Sequence, residues 1–111
     1  MAYGHICTND SMMAGAIELP ESECLVCCKI TRQRAGYIGV QCLVCRSVID
    51  FEENFRGRIV RMRREMLKLN RKEMGELTGY SPKTIKQYEW VWCTKNYYDK
   101  TREIMIARSE K

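Results

Sequence analysis

Cys24-Leu25-Val26-Cys27 recurs unchanged as Cys42-Leu43-Val44-Cys45, with fourteen residues between the two copies. A two-residue gap lets both sulfurs of a tight turn face one point, and two such turns close a tetrahedral shell of four thiolates that suits zinc. Cys24, Cys27, Cys42 and Cys45 are therefore the expected ligands of one structural zinc ion. Three other uses of the thiols compete with this reading: disulfides, a redox dithiol and chance clustering. Disulfides need an oxidising compartment, yet seven cysteines are an odd number and the N-terminus lacks a basic segment leading into a long apolar one. A redox dithiol calls for one such motif in a thioredoxin-like setting, not two.

Many zinc knuckles carry glycine after the second cysteine, where a left-handed backbone turns amides toward sulfur. Here Cys28 and Arg46 hold those positions, and Cys28 offers a competing thiol. Cys7, Cys28 and Cys93 otherwise read as ordinary buried or half-exposed thiols. His5 and Cys7 form a second possible donor pair, but no partner pair is spaced to match it. Between the knuckles, residues 29–33 and 37–41 flank Arg34-Ala35-Gly36, which predicts a hairpin with Gly36 at positive φ. That is the layout of a zinc ribbon, with the Leu and Val of each knuckle filling its small core. Residues 1–20 lack a period and read as coil or a short strand.

The 111 residues allow one ordinary domain or two very small ones. A lobe of about fifty residues buries too little apolar surface to fold unaided, so a metal at its centre is physically reasonable. The net charge of +5 is uneven: residues 1–50 hold 4 Lys and Arg against 5 Asp and Glu, whereas residues 51–111 hold 15 against 9. The change near Phe51 divides the chain into a zinc-ribbon-like lobe, residues 1–50, and a helical domain, residues 51–111. On that division, removing the metal should unfold the first half alone. No apolar run approaches the ~20 residues that span a bilayer, and residues 12–17 fall far short. The chain reads as cytoplasmic, with no membrane partner.

Beyond a connector at residues 47–56 the period becomes helical. Ile59, Met62, Met66 and Leu69 form one apolar stripe, with Arg58, Arg61, Arg63, Arg64 and Lys68 mostly off it. Asn70 caps a second helix, Glu73 reaches back to it, and Gly79 is a left-handed stop. Ser81 caps a third helix with Pro82 in its first turn. The class expected from these patterns is α+β, a small N-terminal zinc-ribbon lobe followed by an all-α helix-turn-helix domain.

Helix N-termini carry partial positive charge, so cations there are mildly unfavourable, by about 0.3–1 kcal/mol each. Arg71 and Lys72 nevertheless open the second helix, and Lys83 lies in the first turn of the third. An arriving phosphate makes the arrangement favourable, since amides, dipole and cations then address one anion. Solvated cations on a basic face are the plainer alternative. Lys83, Thr84 and Gln87 share a face of the third helix and are the expected base contacts; Arg71, Lys72 and Lys86 are the expected phosphate contacts.

Residues 57–89 resemble the Xre/Cro type of phage-repressor helix-turn-helix. The family pattern falls on Ile59, Arg63, Leu69-Asn70-Arg71-Lys72-Glu73-Met74-Gly75, Gly79, Ser81, Thr84, Ile85 and Glu89. Arg71 stands where the family usually has Gln, and Gly75 where it has a small Ala. A four-cysteine zinc lobe ahead of such a domain is also similar in architecture to the MqsA (YgiT-type) antitoxins, although the gap between knuckles is shorter here. That resemblance implies a zinc lobe that binds a toxin, and a C-terminal domain that dimerises and represses its own operon. Small phage regulators with an appended zinc ribbon share the same order of parts. The sequence around Trp90-Val91-Trp92-Cys93, Tyr97, Tyr98, Ile104, Met105 and Ile106 reads as the rest of the core, with dimer contact as a second use.

The expected function is a sequence-specific DNA-binding regulator, a repressor acting as a homodimer on a palindromic operator in double-stranded DNA. The rival is an antitoxin-like interaction protein that holds a toxin or host factor through its zinc lobe. A third reading is a thiol or zinc sensor built on Cys28. One histidine, no phosphate loop and a closed four-thiolate shell argue against an enzyme.

Overall fold

The computed structural model describes residues 17–109. His5 and Cys7 lie outside the described residues. The described residues begin with a four-stranded antiparallel meander in the order β1 (Ile17–Glu23), β2 (Ile30–Ala35), β3 (Val40–Cys42), β4 (Val48–Ile49). β1 pairs with β2 from Ile17 opposite Ala35 to Glu23 opposite Ile30, and its register slips between Leu19 and Ser22. Pro20 sits in that slip, on an edge strand, where its missing amide interrupts no ladder. The β2–β3 hairpin turns later than the sequence predicts. The Gly36 amide donates to the Gly39 carbonyl at 2.8 Å, and Gly36 does not take positive φ. A Cβ at Gly39 would run into the Ile49 carbonyl, so that glycine is needed for close approach of the fourth strand.

Four helices follow: α1 (Phe55–Met66), α2 (Arg71–Thr78), α3 (Pro82–Trp90) and α4 (Lys95–Ser109). The ends of α2 and α3 form as their caps dictate. Asn70 Oδ1 accepts from the Glu73 amide at 2.8 Å while Glu73 Oε1 accepts from the Asn70 amide at 3.0 Å, and Gly79 closes α2 at φ 84°. Ser81 Oγ accepts from the Thr84 amide at 3.2 Å, with Pro82 at the first position of α3. Gly75 has a local reason: a Cβ there would meet the Tyr80 carbonyl where the chain turns between α2 and α3.

α1 departs from its predicted stripe. Its buried face is Gly57, Ile59, Val60 and Arg63, whereas Met66 is exposed. Two clusters meet across this helix. Ile59 packs with Cys24, Val26, Cys27, Cys42 and Ile49, together with Phe55, Met62 and Tyr98. Val60 packs with Met74, Ile85, Cys93 and Tyr97, and Tyr98 touches this cluster too.

These contacts correct the expected fold class of a small zinc-ribbon lobe followed by an all-α domain. Four antiparallel strands over residues 17–49 lead into four helices, and the cysteine turns share a core with α1 and α4. Arg63 fastens the junction. Its side chain is fully buried; Nε and Nη2 donate to the Leu25 carbonyl at 2.9 and 2.6 Å, and Nη1 donates to the Tyr98 carbonyl and to Thr101 Oγ1 at 2.8 and 2.9 Å. The guanidinium also lies 4.4 Å from the centre of the Tyr98 ring. Arg102 and Glu23 add a bidentate pair at 2.8 and 2.7 Å between α4 and the end of β1. That pair holds the Glu23 carboxyl below its ordinary range.

Candidate metal centre and nucleic-acid face

The two cysteine turns are copies in structure as well as in sequence. In the first, the amides of Val26 and Cys27 donate to Cys24 Sγ at 3.4 and 3.5 Å; in the second, those of Val44 and Cys45 donate to Cys42 Sγ at 3.4 Å each. Each turn is closed by the same backbone pair, Cys24 N–H to Lys29 O with Cys28 N–H to Cys24 O, and Cys42 N–H to Ser47 O with Arg46 N–H to Cys42 O. Cys28 and Arg46 take φ of 61° and 67°, the left-handed values usually left to glycine. A side chain there costs on the order of 1–2 kcal/mol. The turn needs the backbone shape regardless of which residue supplies it.

All four sulfurs lie within 4.8 Å of one another, so this cluster can hold a metal ion. Thr31 Oγ1 lies 3.2 Å from Cys42 Sγ. Cys24 and Cys45 sulfurs are 3.8 Å apart. The Cys24 hydrogen bond pulls the Cys45 thiol well down toward thiolate, while that bond and burial push Cys24 up; burial also raises Cys27. Crowded, buried sulfurs cannot all ionise without a cation among them, and a divalent ion provides it. Cys28 stays outside the cluster, with its Sγ directed to the Val26 carbonyl at 3.7 Å and its thiol held up by burial. That placement takes it away from the ligand-competitor role its position in the sequence suggests. Cys93 is likewise a buried core thiol, pushed up to about 11 by burial.

One metal ion per chain is the expected stoichiometry, measured by elemental analysis, and Cys24→Ser/Cys42→Ser should abolish it. Because binding displaces thiol protons, occupancy should fall as pH falls. Metal retained at full occupancy by the double variant would overturn the assignment.

The second candidate site is the exposed side of α2 and α3. Lys83, Lys86 and Gln87 are exposed and Thr84 is half-buried, its hydroxyl 2.8 Å from Ser81 Oγ. Lys72 is exposed on the first turn of α2. Arg71 is differently placed: Nε and Nη2 both donate to Glu89 Oε1, at 3.3 and 3.2 Å. Glu89 also takes Arg64 in a bidentate pair at 2.7 and 3.2 Å. The buried carboxylate thus ties α3 to α1 and α2 and fixes how the two capped helix ends face solvent.

The sequence reading missed two residues here. Trp90, which the sequence pattern assigns to the core, is 59% exposed, and Arg61 lies 4.8 Å over its ring. Val91 and Trp92 are also exposed, whereas Cys93, Tyr97 and Met105 are buried as expected. The available signal was spacing, since Trp90 follows Lys83 and Gln87 on one helical face. No helix among the described residues is long and apolar enough to cross a membrane. The chain matches no protein-family model, no curated protein and no solved structure.

Proposed function

We propose that the chain is a cytoplasmic, sequence-specific DNA-binding regulator, acting as a repressor, whose four-cysteine centre holds one structural zinc ion. Zinc is favoured because four cysteine sulfurs within 4.8 Å of one another can supply the four-thiolate shell it prefers, which leaves no open position for chemistry. The observation that carries the DNA reading is the capped α2–turn–α3 pair, whose exposed surface presents Lys72, Lys83, Lys86 and Gln87 beside two helix N-termini. In this reading Lys83, Thr84 and Gln87 meet base edges. Lys72 and Lys86 meet phosphate, and Arg71 adds its Nη1 while Glu89 holds its other two nitrogens. Two copies bind a palindrome with half-sites about one helical turn apart. The resemblance of residues 57–89 to the Xre/Cro type supports the same reading.

The test is binding to the chain's own upstream DNA and to a scrambled duplex at two salt concentrations. Gln87→Ala should cost roughly 1–3 kcal/mol on the preferred site alone, whereas Lys86→Ala should weaken both about equally and flatten the salt slope by about one unit. The rival reading, an antitoxin-like protein that holds a toxin or host factor, draws on exposed Ile17, Ile30 and Val44 in the sheet half. It takes over if the wild type binds neither DNA above background.

A further inference from the structure

α3 is nine residues long, so its two ends lie about 12–13 Å apart at 1.5 Å per residue. That is close to the width of a DNA major groove, about 12 Å. A helix that inserts its N-terminal residues among base edges therefore brings its last residue to the wall of the groove, where the sugar-phosphate backbone runs. The last residue of α3 is Trp90, on the face of Lys83 and Gln87, and most of its indole is exposed.

Beside Trp90 lies a groove of about 290 Å³ lined by Glu53, Asn54, Arg58, Arg61, Glu89 and Trp90. Arg61 stacks on the indole at 4.8 Å, and its buried Nε makes no hydrogen bond. Its nearest carboxylate contact, with Glu65, is long at 3.9 Å. Arg58 leans toward Glu52 at 3.6 Å across an exposed pair. Glu53 is the opposing charge in the groove, since Glu89 is already engaged by Arg64 and Arg71. The one carboxylate on α3 is that buried Glu89, so the outer surface of the helix is cationic or neutral throughout. This charge favours a polyanion over a second protein as the occupant.

We propose that Trp90 and Arg61 form a DNA backbone clamp at the distal end of α3, with the indole packed on a deoxyribose and the guanidinium on the adjoining phosphate. The clamp rests on the DNA-binding reading above and extends it from α2 and α3 to α1. Stacking on Trp90 holds the Arg61 fork in place before DNA arrives, which lowers the ordering cost of the contact. As a backbone contact it reads no bases and acts on every sequence alike.

Trp92 is replaced in Trp92→Phe, which leaves Trp90 as the one indole in the chain. With this variant and a short mixed-sequence duplex carrying its own label, binding is read from the duplex and contact from the indole fluorescence. The expected result is a change in Trp90 emission that follows the binding curve. Arg61→Ala should lower the slope of log affinity against log salt by about 0.9, and Arg61→Lys should restore the slope. Binding with unchanged Trp90 emission and an unchanged slope in Arg61→Ala overturns the clamp and leaves the DNA reading standing. No binding of this duplex or of the upstream DNA overturns both. An emission change that follows protein concentration without DNA assigns Trp90 to contact between copies, and the clamp is then wrong.

Discussion

Stripping the metal with a strong chelator is expected to unfold the helices together with the sheet, the reverse of what a two-unit chain would do. Cys24, Cys27 and Cys42 belong to the cluster that buries Ile59 of α1, and Phe55, Met62 and Tyr98 close over it. Two hydrogen bonds of the buried Arg63 end on the carbonyl of Leu25, inside the first cysteine turn. When that turn opens, Arg63 Nε and Nη2 lose their shared acceptor, and the enclosed guanidinium keeps only the bonds of Nη1 to Tyr98 and Thr101 on α4. An enclosed charge that loses half of its hydrogen bonds is costly to keep buried. Structural zinc contributes about 10–16 kcal/mol of binding free energy in small metal-folded domains, as much as the total stability of a typical domain. Far-UV circular dichroism should therefore lose most of its helical signal on chelation and regain it with zinc. Arg63→Met in the metal-loaded protein should lower the melting temperature while keeping the ion. Helical signal unchanged after verified metal loss would mean that the helices stand alone and the shared core contributes little.

The parts of this structure that were legible in sequence are those written in local chemistry. The cysteine turns could be read because thiol spacing alone sets their geometry, and α2 and α3 because Asn70, Glu73, Gly79, Ser81 and Pro82 each satisfy or end a specific backbone group. β1 could not be read, since six of its seven residues are exposed and no alternation marks a buried face. The face of α1 was misread at Arg63, because a charge is taken to face water unless its acceptors are known, and those acceptors lie at Leu25, Tyr98 and Thr101. Trp90 and Trp92 failed in the opposite sense: large apolar residues are assigned to the core, yet both stand in solvent. For Arg63 and Trp90 the missing information was tertiary, a partner 29 to 38 residues away in sequence.

Glu89→Ala should destabilise the protein by about 3–5 kcal/mol, the usual consequence of removing one member of a buried ionic group. The Glu89 side chain is fully enclosed, Arg64 is 12% exposed and Arg71 33% exposed. Without the carboxylate, Arg64 keeps only its bond to the Leu69 carbonyl at 3.0 Å and remains largely desolvated. Arg71 can swing out to water, so Arg71→Ala should cost much less, on the order of 1 kcal/mol. The asymmetry follows from geometry, since the Arg64 contact is shorter and drier than that of Arg71. Arg64→Met with Glu89→Leu removes both main charges and should recover part of the loss, because an apolar pair of similar volume fits a buried site without the desolvation cost. Denaturant unfolding of the three metal-loaded variants measures these effects, and a loss below ~1 kcal/mol for Glu89→Ala would show that the carboxylate is solvated. A larger loss has a functional consequence as well. Glu89 joins α3 to α1 and α2, so its removal also releases the angle at which Lys83 and Gln87 are presented, and DNA affinity should fall even where the variant remains folded.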